Sequence, residues 1–332
     1  MWSPARLATI GLVVAACNAA MAGTPAQAQA QAYPAKAITI VLPLAAGTGM
    51  DTIVRLYGER LSASFGRPVL VDNRPGASMM LATTAVASAP ADGYTLLVGT
   101  SGAMAINPVL FKQVTYDPER DFVPVAFYVK SPFVLVINPA LPVHTVAELI
   151  RHVKDNPTLS YSTPGAGLAQ HLSMEFMKQR FGLEITHVPY RNSPQSISDI
   201  VAGHVHLGFA EVGASLPLIR DGKLRALAVS SSTRLPMLPE VPPFAEAAGA
   251  PDFEAVSWHI LLAPSKTPKE AIDKLHGEMK RILAAPDLKE KIANLGLIPL
   301  DTPFVEDISR YMKEEREKWG SLVKTLGLQG SQ

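Results

Sequence analysis

The stretch VLPLAAGTGMD, residues 41–51, runs from an apolar segment of strand length into a glycine turn, after which Ile53, Val54, Tyr57 and Leu61 recur at helical spacing. Two nucleotide readings of it fail. A dinucleotide fingerprint needs a third glycine where Thr52 stands, and a phosphate loop needs Gly-Lys-Ser/Thr with four residues between it and the first glycine, which is absent. What remains is a strand, the turn Gly47-Thr48-Gly49 and an uncovered helix N-terminus. Free backbone N–H groups and the positive end of a helix dipole can hold a carboxylate without any basic side chain. A turn that merely lets the helix pack is the competing reading of the same residues.

Outward from this stretch the chain alternates strand-length and helix-length segments, the pattern of an α/β architecture with helices covering a largely parallel sheet. AITIVLPL (37–44), PVLVD (68–72), YTLLVGT (94–100) and FVLVIN (133–138) read as strands, and ASMMLATTAVASA (77–89) as a helix. Further on, LSYST (159–163), ITHVPY (185–190), HLGFAE (206–211) and LRALAVSSS (224–232) are strands between helix-length segments. Thr145 with Glu148 three residues later has capping-box spacing and opens a helix. The proline-rich LPMLPEVPPF (235–244) reads as extended linker, EAVSWHILLAP (254–264) returns as a strand, and two or three helices follow. The last carries Phe304, Ile308, Tyr311, Met312, Trp319, Leu322 and Val323 on one stripe. The late return strand implies a discontinuous first lobe, 33–131 plus 255–332, around a second lobe, 132–254, with two crossings that make a hinge.

A chain of 332 residues is long enough for two cores. Its net charge of +1, with no long basic run, lacks the footprint of a nucleic-acid binder, so nucleic acid is not expected as a partner. Arg6, an apolar run over residues 7–16 and the small residues behind it have the layout of a secretory signal, so residues 1–30 are read as signal peptide and leader. The apolar run is too short for a spanning helix, which needs about 20 residues. Cleavage after Ala22, Ala28 or Ala30 fits equally. Cys17, the single cysteine, follows Val14-Ala15-Ala16 and resembles a lipoprotein box, but an ordinary apolar residue inside the signal is the preferred reading. Either way the folded part has no thiol, hence no disulfide, cysteine nucleophile or cysteine metal site.

Three stretches are candidates for chemistry. The turn at Leu44, Gly47, Thr48, Gly49, Met50 and Asp51 is one. YSTPGAGLAQH (161–171) repeats its logic, with Thr163, Gly165, Ala166, Gly167 and Ala169 between a strand and a helix, so two such loops across a cleft could grip one small anion. In GTSGAMAINP (99–108), Thr100 and Ser101 follow a strand, but this is not a nucleophile elbow. His204 and His206 lack the partners a zinc site needs, and His171 opens a helix as a capping or packing residue. Glu211 ends an apolar strand, where a carboxylate can point into the crevice such sheets use for ligands.

The ordered set YPAKAITIVLPLAAGTGMD, VLVDNRPGAS, ADGYTLLVGT, YDPERDFVPV, HVPYRNS, DIVAGHV, GKLRALAV and WHILLAPSKTP resembles the Bug extracytoplasmic solute receptors of tripartite tricarboxylate transporters. The resemblance covers nearly everything after the signal. It implies a two-lobed type II periplasmic-binding fold with a hinge and an interlobe cleft, closing on a small carboxylate held by backbone amides, hydroxyls and waters. Against the family's first loop, Pro43, Gly47 and Asp51 match, while Leu44, Ala46, Thr48 and Met50 replace an aromatic, a proline, a glycine and a small hydroxyl residue. Ala210-Glu211 stands where Asp-Asn is common; Trp258 matches; His259 and Ile260 depart. The expected cleft lining therefore adds Ala210, Glu211 and Trp258. Two directions are open to Glu211: into the cleft, where its charge favours a ligand bearing an ammonium or hydroxyl donor, or towards solvent, leaving Ala210 and Ile260 as an apolar pocket, and the second is the preferred reading.

The sequence thus predicts a monomeric, exported receptor for a small organic carboxylate, serving membrane transporter subunits or a membrane sensor, with no cofactor, metal or covalent chemistry. A secreted α/β hydrolase is the alternative, but no nucleophile, base and oxyanion hole can be read together. The effector domain of a transcription regulator would lack the export signal.

Overall fold

The residues ITIVL form β1 (Ile38–Leu42), which lies between β2 (Val69–Asn73) and β3 (Thr95–Thr100), both parallel to it. A strand so enclosed is covered on both faces, which is why it reads as a continuous apolar run. β10 (Ser257–Pro264) then enters antiparallel between β3 and β4 (Phe122–Ser131), and β11 (Ile298–Pro299) closes the edge, giving the order β11-β4-β10-β3-β1-β2. A second sheet, ordered β7-β6-β8-β5-β9, is built from β5 (Phe133–Ile137), β6 (Ser160–Thr163), β7 (Thr186–Pro189), β8 (Leu207–Glu211) and β9 (Arg225–Val229). In it β5 runs antiparallel to both neighbours. The expectation of a largely parallel sheet is thus corrected: each sheet is mixed, because β10 and β5 run against the strands beside them.

The computed structural model describes residues 33–251 and 253–332, so the signal segment, its cleavage sites and Cys17 lie outside the described residues. Lys36–Gln332 packs as one compact unit.

Helices cover both sheets. α1 (Gly49–Phe65) starts at Thr48, whose hydroxyl caps it, and stops at Gly66. α2 (Met80–Ala87) and the four-residue α3 (Asn107–Leu110) flank β3, with a π-helical turn (Gly102–Ile106) leading into α3. α4 (Val146–Asp155) has the predicted capping box, with both of its bonds formed between Thr145 and Glu148. The second sheet also carries α5 (Ala169–Phe181), α6 (Ser193–Ala202), α7 (Val212–Arg220) and the short α8 (Phe244–Ala248). The chain ends with α9 (Lys269–Leu283), α10 (Pro286–Asn294) and α11 (Val305–Thr325). α11 buries Ile308, Met312, Trp319 and Val323 as its pattern predicts, but Phe304 is 65% exposed, beneath the Lys280 ammonium at 5.0 Å. Phe304 precedes the first turn and so escapes the stripe.

Two segments depart from their sequence reading. β4, the longest strand, went unassigned because Pro124 interrupts it; the pairing slips by one residue between Leu261 and Leu262, beside that proline, and the strand continues. The helix expected over 77–89 begins only at Met80. Ahead of it Gly76 has φ 125°, and Ala77, Ser78 and Met79 follow with φ of 45°, 49° and 73°. Left-handed backbone at a non-glycine residue costs roughly 1–2 kcal/mol, and such strain persists where the surroundings enforce it.

Candidate functional site

In the first lobe the turn after β1 is shaped by Asp51. Its carboxylate accepts from the Gly47 N–H (2.9 Å), from Asn73 Nδ2 (2.9 Å) and from Arg55 Nε (3.1 Å), while Asn73 Nδ2 also reaches the Leu44 carbonyl (3.1 Å). Burial pushes this carboxyl up, but the bonds from Arg55, Gly47 and Asn73 outweigh it and hold the group below its ordinary value. Asp51 is 5% exposed and both its oxygens are engaged, so its side chain organises the loop. Gly47 sits at φ +82°, a conformation glycine adopts freely, and an added Cβ there or at Gly49 would meet nothing within 4 Å. Leu44 is half-buried against the core. The Met50 side chain is buried on the inner face of α1's first turn, beside the Tyr128 hydroxyl (Sδ 3.9 Å).

Three further residues of the expected site, Thr100, Ser101 and Trp258, are buried. Thr100 is buried, its hydroxyl placed between Met79 Sδ (3.0 Å) and the Ala103 N–H (3.2 Å), and Ser101 bonds Ser257 (Oγ to Oγ, 2.9 Å). Thr100 thereby braces the π-helical turn that follows β3, and Ser101 ties that turn to β10. Trp258 is fully buried; its indole N–H donates to Glu315 Oε2 (2.8 Å), which also accepts from the Trp319 indole (2.9 Å). A strand's side chains alternate, so Trp258 faces α11 while its neighbour His259 takes the opposite face. His259 is buried with Nδ1 unpartnered among the described residues, and burial drives the imidazole down to about 3, so it is neutral.

In the second lobe the loop after β6 is held by neutral groups. The Thr163 hydroxyl contacts the Gly165 carbonyl (3.2 Å) and His187 Nε2 (2.7 Å), and accepts from the Gly165 N–H (3.3 Å). The Gly167 N–H points to His171 Nδ1 (3.4 Å). Ala169 begins α5 and is buried. This loop meets the strained turn before α2 directly: the Ser78 hydroxyl donates to the Ala166 carbonyl (3.4 Å), and Asn107 Nδ2 fixes the Ser78 carbonyl (2.7 Å). Gly167 has φ +79°, and a Cβ there would stand 2.7 Å from Leu110 Cδ2 and 3.2 Å from Asn107 Oδ1. Sequence reasoning missed Ser78, Asn107 and His187; Gly76 before a small-residue run was the available signal for the first.

Ala210 and Glu211 end β8. Ala210 is buried in one apolar cluster with Val134 and Val212, whereas Ile260 belongs to another. Glu211 does not face solvent freely: it is half-buried, accepts from the Ser193 hydroxyl (3.1 Å), and burial pushes its carboxyl above the ordinary value. Just beyond it the lobes touch again, since a Cβ at Gly296 would lie 2.7 Å from the Gly213 nitrogen and 2.9 Å from Val212 Cβ. His206 Nδ1 is used by the Ser160 N–H (3.0 Å) and His204 lies by Asp199 (3.6 Å), so they do not share a site. Among the described residues no group of three metal-binding side chains occurs, and no helix is long and apolar enough to cross a membrane.

Two lobes, each a sheet under helices, with strand-to-helix turns at their rims, make a two-lobed solute-binding protein of the type II periplasmic class. The model for the tripartite tricarboxylate transporter family receptor matches residues 53–328, and the chain belongs to that family, whose members include the Bug receptors. It is 34% identical to protein BugT of Bordetella pertussis over 324 residues, 97% of each chain. Among solved structures it resembles Rpa4515 of R. palustris with adipate, with a TM-score of 0.83, 36% identity and coverage of 89% of this chain and 98% of that one. MatC of Rhodopseudomonas palustris with bound malate gives a TM-score of 0.79 at 29% identity, covering 88% of this chain and 100% of the other.

Proposed function

We propose that this chain is an exported periplasmic receptor that captures a small organic carboxylate between its lobes for uptake through membrane transporter subunits, and performs no covalent chemistry on it. The observation that carries the reading is the pair of strand-to-helix turns, residues 43–48 and 164–168, one in each lobe and neither containing Lys or Arg. Backbone N–H groups and the N-termini of α1 and α5 are the anion-binding groups on offer there. Similar receptors whose structures hold adipate and malate support the ligand class. Micromolar capture needs about 8 kcal/mol, within reach of a few charge-assisted hydrogen bonds in a cleft that excludes water, after ordering costs. The engagement of Thr100 and Ser101 inside the fold favours binding over hydrolysis.

The lobe boundaries we propose are 33–131 with 255–332, and 132–254; the strands of the six-stranded sheet all come from the first set and those of the five-stranded sheet from the second. Native mass spectrometry of the gently purified protein tests the ligand, followed by calorimetry with adipate and malate. A co-purified carboxylic acid, or micromolar binding of one of these acids, is expected. A bare protein that gives no heat with a panel of mono-, di- and tricarboxylates at millimolar concentration overturns the reading.

A further inference from the structure

Behind the second lobe's loop three aromatic rings form a column. Tyr161 of β6 stacks on His187 of β7 (centroids 4.8 Å apart, 15° between planes), and His187 stacks on His171 of α5 (4.5 Å, 22°). Both imidazoles reach the loop. His171 Nδ1 is the acceptor facing the Gly167 N–H, and His187 Nε2 lies 2.7 Å from the Thr163 hydroxyl, whose other contacts are Gly165 N and O. We propose that His171 and His187 are positioning residues that keep the 163–167 loop in its gripping shape only while both rings are neutral; what the loop grips rests on the receptor reading above, but the coupling does not.

The chemistry follows from which atoms are occupied. A proton on His171 would go to Nδ1, the atom the Gly167 N–H addresses, turning a donor–acceptor contact into two opposed donors. A proton on His187 places a cation 4.5 Å from the other ring. The charged groups facing the column are Glu175 and Lys178 of α5. Lys178 opposes protonation of both rings; Glu175 favours it, but it is already bonded to Lys178 (2.8 Å) and to the Tyr161 hydroxyl. Burial pushes Glu175 up, and those two bonds outweigh it and keep it ionised. Burial likewise lowers both imidazoles, with His187 at about 4. Since an unfolded histidine titrates near about 6.5, a chain with the loop released binds more protons between those values. Loop order is therefore complete above about pH 6.5 and falls as the pH drops towards 4.

The test uses the folded chain without ligand. NMR follows the His171 and His187 ring signals and the amides of Gly165, Ala166 and Gly167 from pH 7.5 down to about 4. The loop amides are expected to move with the midpoint of the rings. In the double variant His171→Asn, His187→Gln, whose amides can reproduce the two contacts without titrating, that response should shrink at least fivefold. Loop amides that stay flat while the rings titrate, or that titrate unchanged in the double variant, overturn the proposal. Should the variant not fold, hydrogen exchange on the wild type decides: protection corrected for intrinsic rate must fall at least tenfold more at Gly165 and Gly167 than in α9 between pH 7.5 and 5, and a uniform change is a refutation. Absence of carboxylate binding at pH 7.5, with the coupling intact, refutes the ligand reading and leaves the histidine assignment standing.

Discussion

Residues 44–48 take their shape from an ionised carboxylate, Asp51, bonded to Gly47, Asn73 and Arg55, whereas residues 163–167 take theirs from a hydroxyl and two neutral imidazoles. The first loop looks into open space at Gly47; the second is pressed against Leu110 and Asn107 of the opposite lobe at Gly167. Neither turn carries a basic side chain, yet one depends on a charge and the other on its absence. Two loops of the same local design therefore differ in what disturbs them: the first answers to its own lobe, the second to its neighbour and to acid.

Substituting the crowded glycine should have the largest effect. Gly167→Ala combines left-handed strain of about 1–2 kcal/mol with overpacking of about 1–3 kcal/mol against Leu110. The lobes should stand further apart, and small-angle scattering in saturating ligand should give a larger radius of gyration than the wild type. An unchanged radius would put the loop outside the closing surface.

Next in size is Asp51→Asn, expected to destabilise by about 1–3 kcal/mol at pH 7, because hydrogen bonds to a charged group are replaced by weaker ones and one donor is left facing another. Folding lowers the carboxyl, so its contribution is complete above the unfolded value of about 3.9 and is lost as the pH falls through the still lower folded value. Urea unfolding should therefore show the gap between wild type and variant closing below about pH 4. A gap constant down to pH 2.5 would mean that charge is not what braces the first loop.

Gly47→Ala introduces strain without a clash, and about 1 kcal/mol is expected. If it proves as damaging as Gly167→Ala, the contrast between an open and a crowded loop is wrong. The smallest effect is reserved for Glu211→Gln. Burial raises that carboxyl, so folding favours its proton and stability declines as the pH rises through the window above the unfolded value of about 4.3. Removing the charge should shift stability by less than about 1 kcal/mol, in the stabilising direction at pH 7. A loss of more than that in thermal or urea unfolding would show Glu211 to be ionised and paired.

How much of this could be read beforehand follows from what each feature depends on. The strand-to-helix turns at 43–48 and 164–168 were readable because backbone conformation is written locally, in glycines, a capping threonine and the apolar run before them. Where a side chain points at the end of a strand is decided by sheet partners. Trp258 turns to Glu315, Ala210 to Val134, and Thr100 to Met79, all through contacts more than about twenty residues away in sequence. β4 was hidden by Pro124, whose missing donor the pairing shift accommodates. The left-handed turn at 77–79 was hidden by its composition, since Ala, Ser and Met are ordinary helix residues and only their fit against Asn107 and Gly102 holds them otherwise.

The carboxylate of Glu315 gathers both indoles among the described residues, Trp258 on the strand that returns from the five-stranded sheet and Trp319 on the last helix. The remaining tryptophan, Trp2, stands at the very start of the sequence. Tryptophan emission from the described residues therefore originates from one buried spot at the base of the return strand. A shift of that strand against α11 changes the surroundings of both emitters together, so a rearrangement within the first lobe can be followed in a fluorimeter with no dye attached.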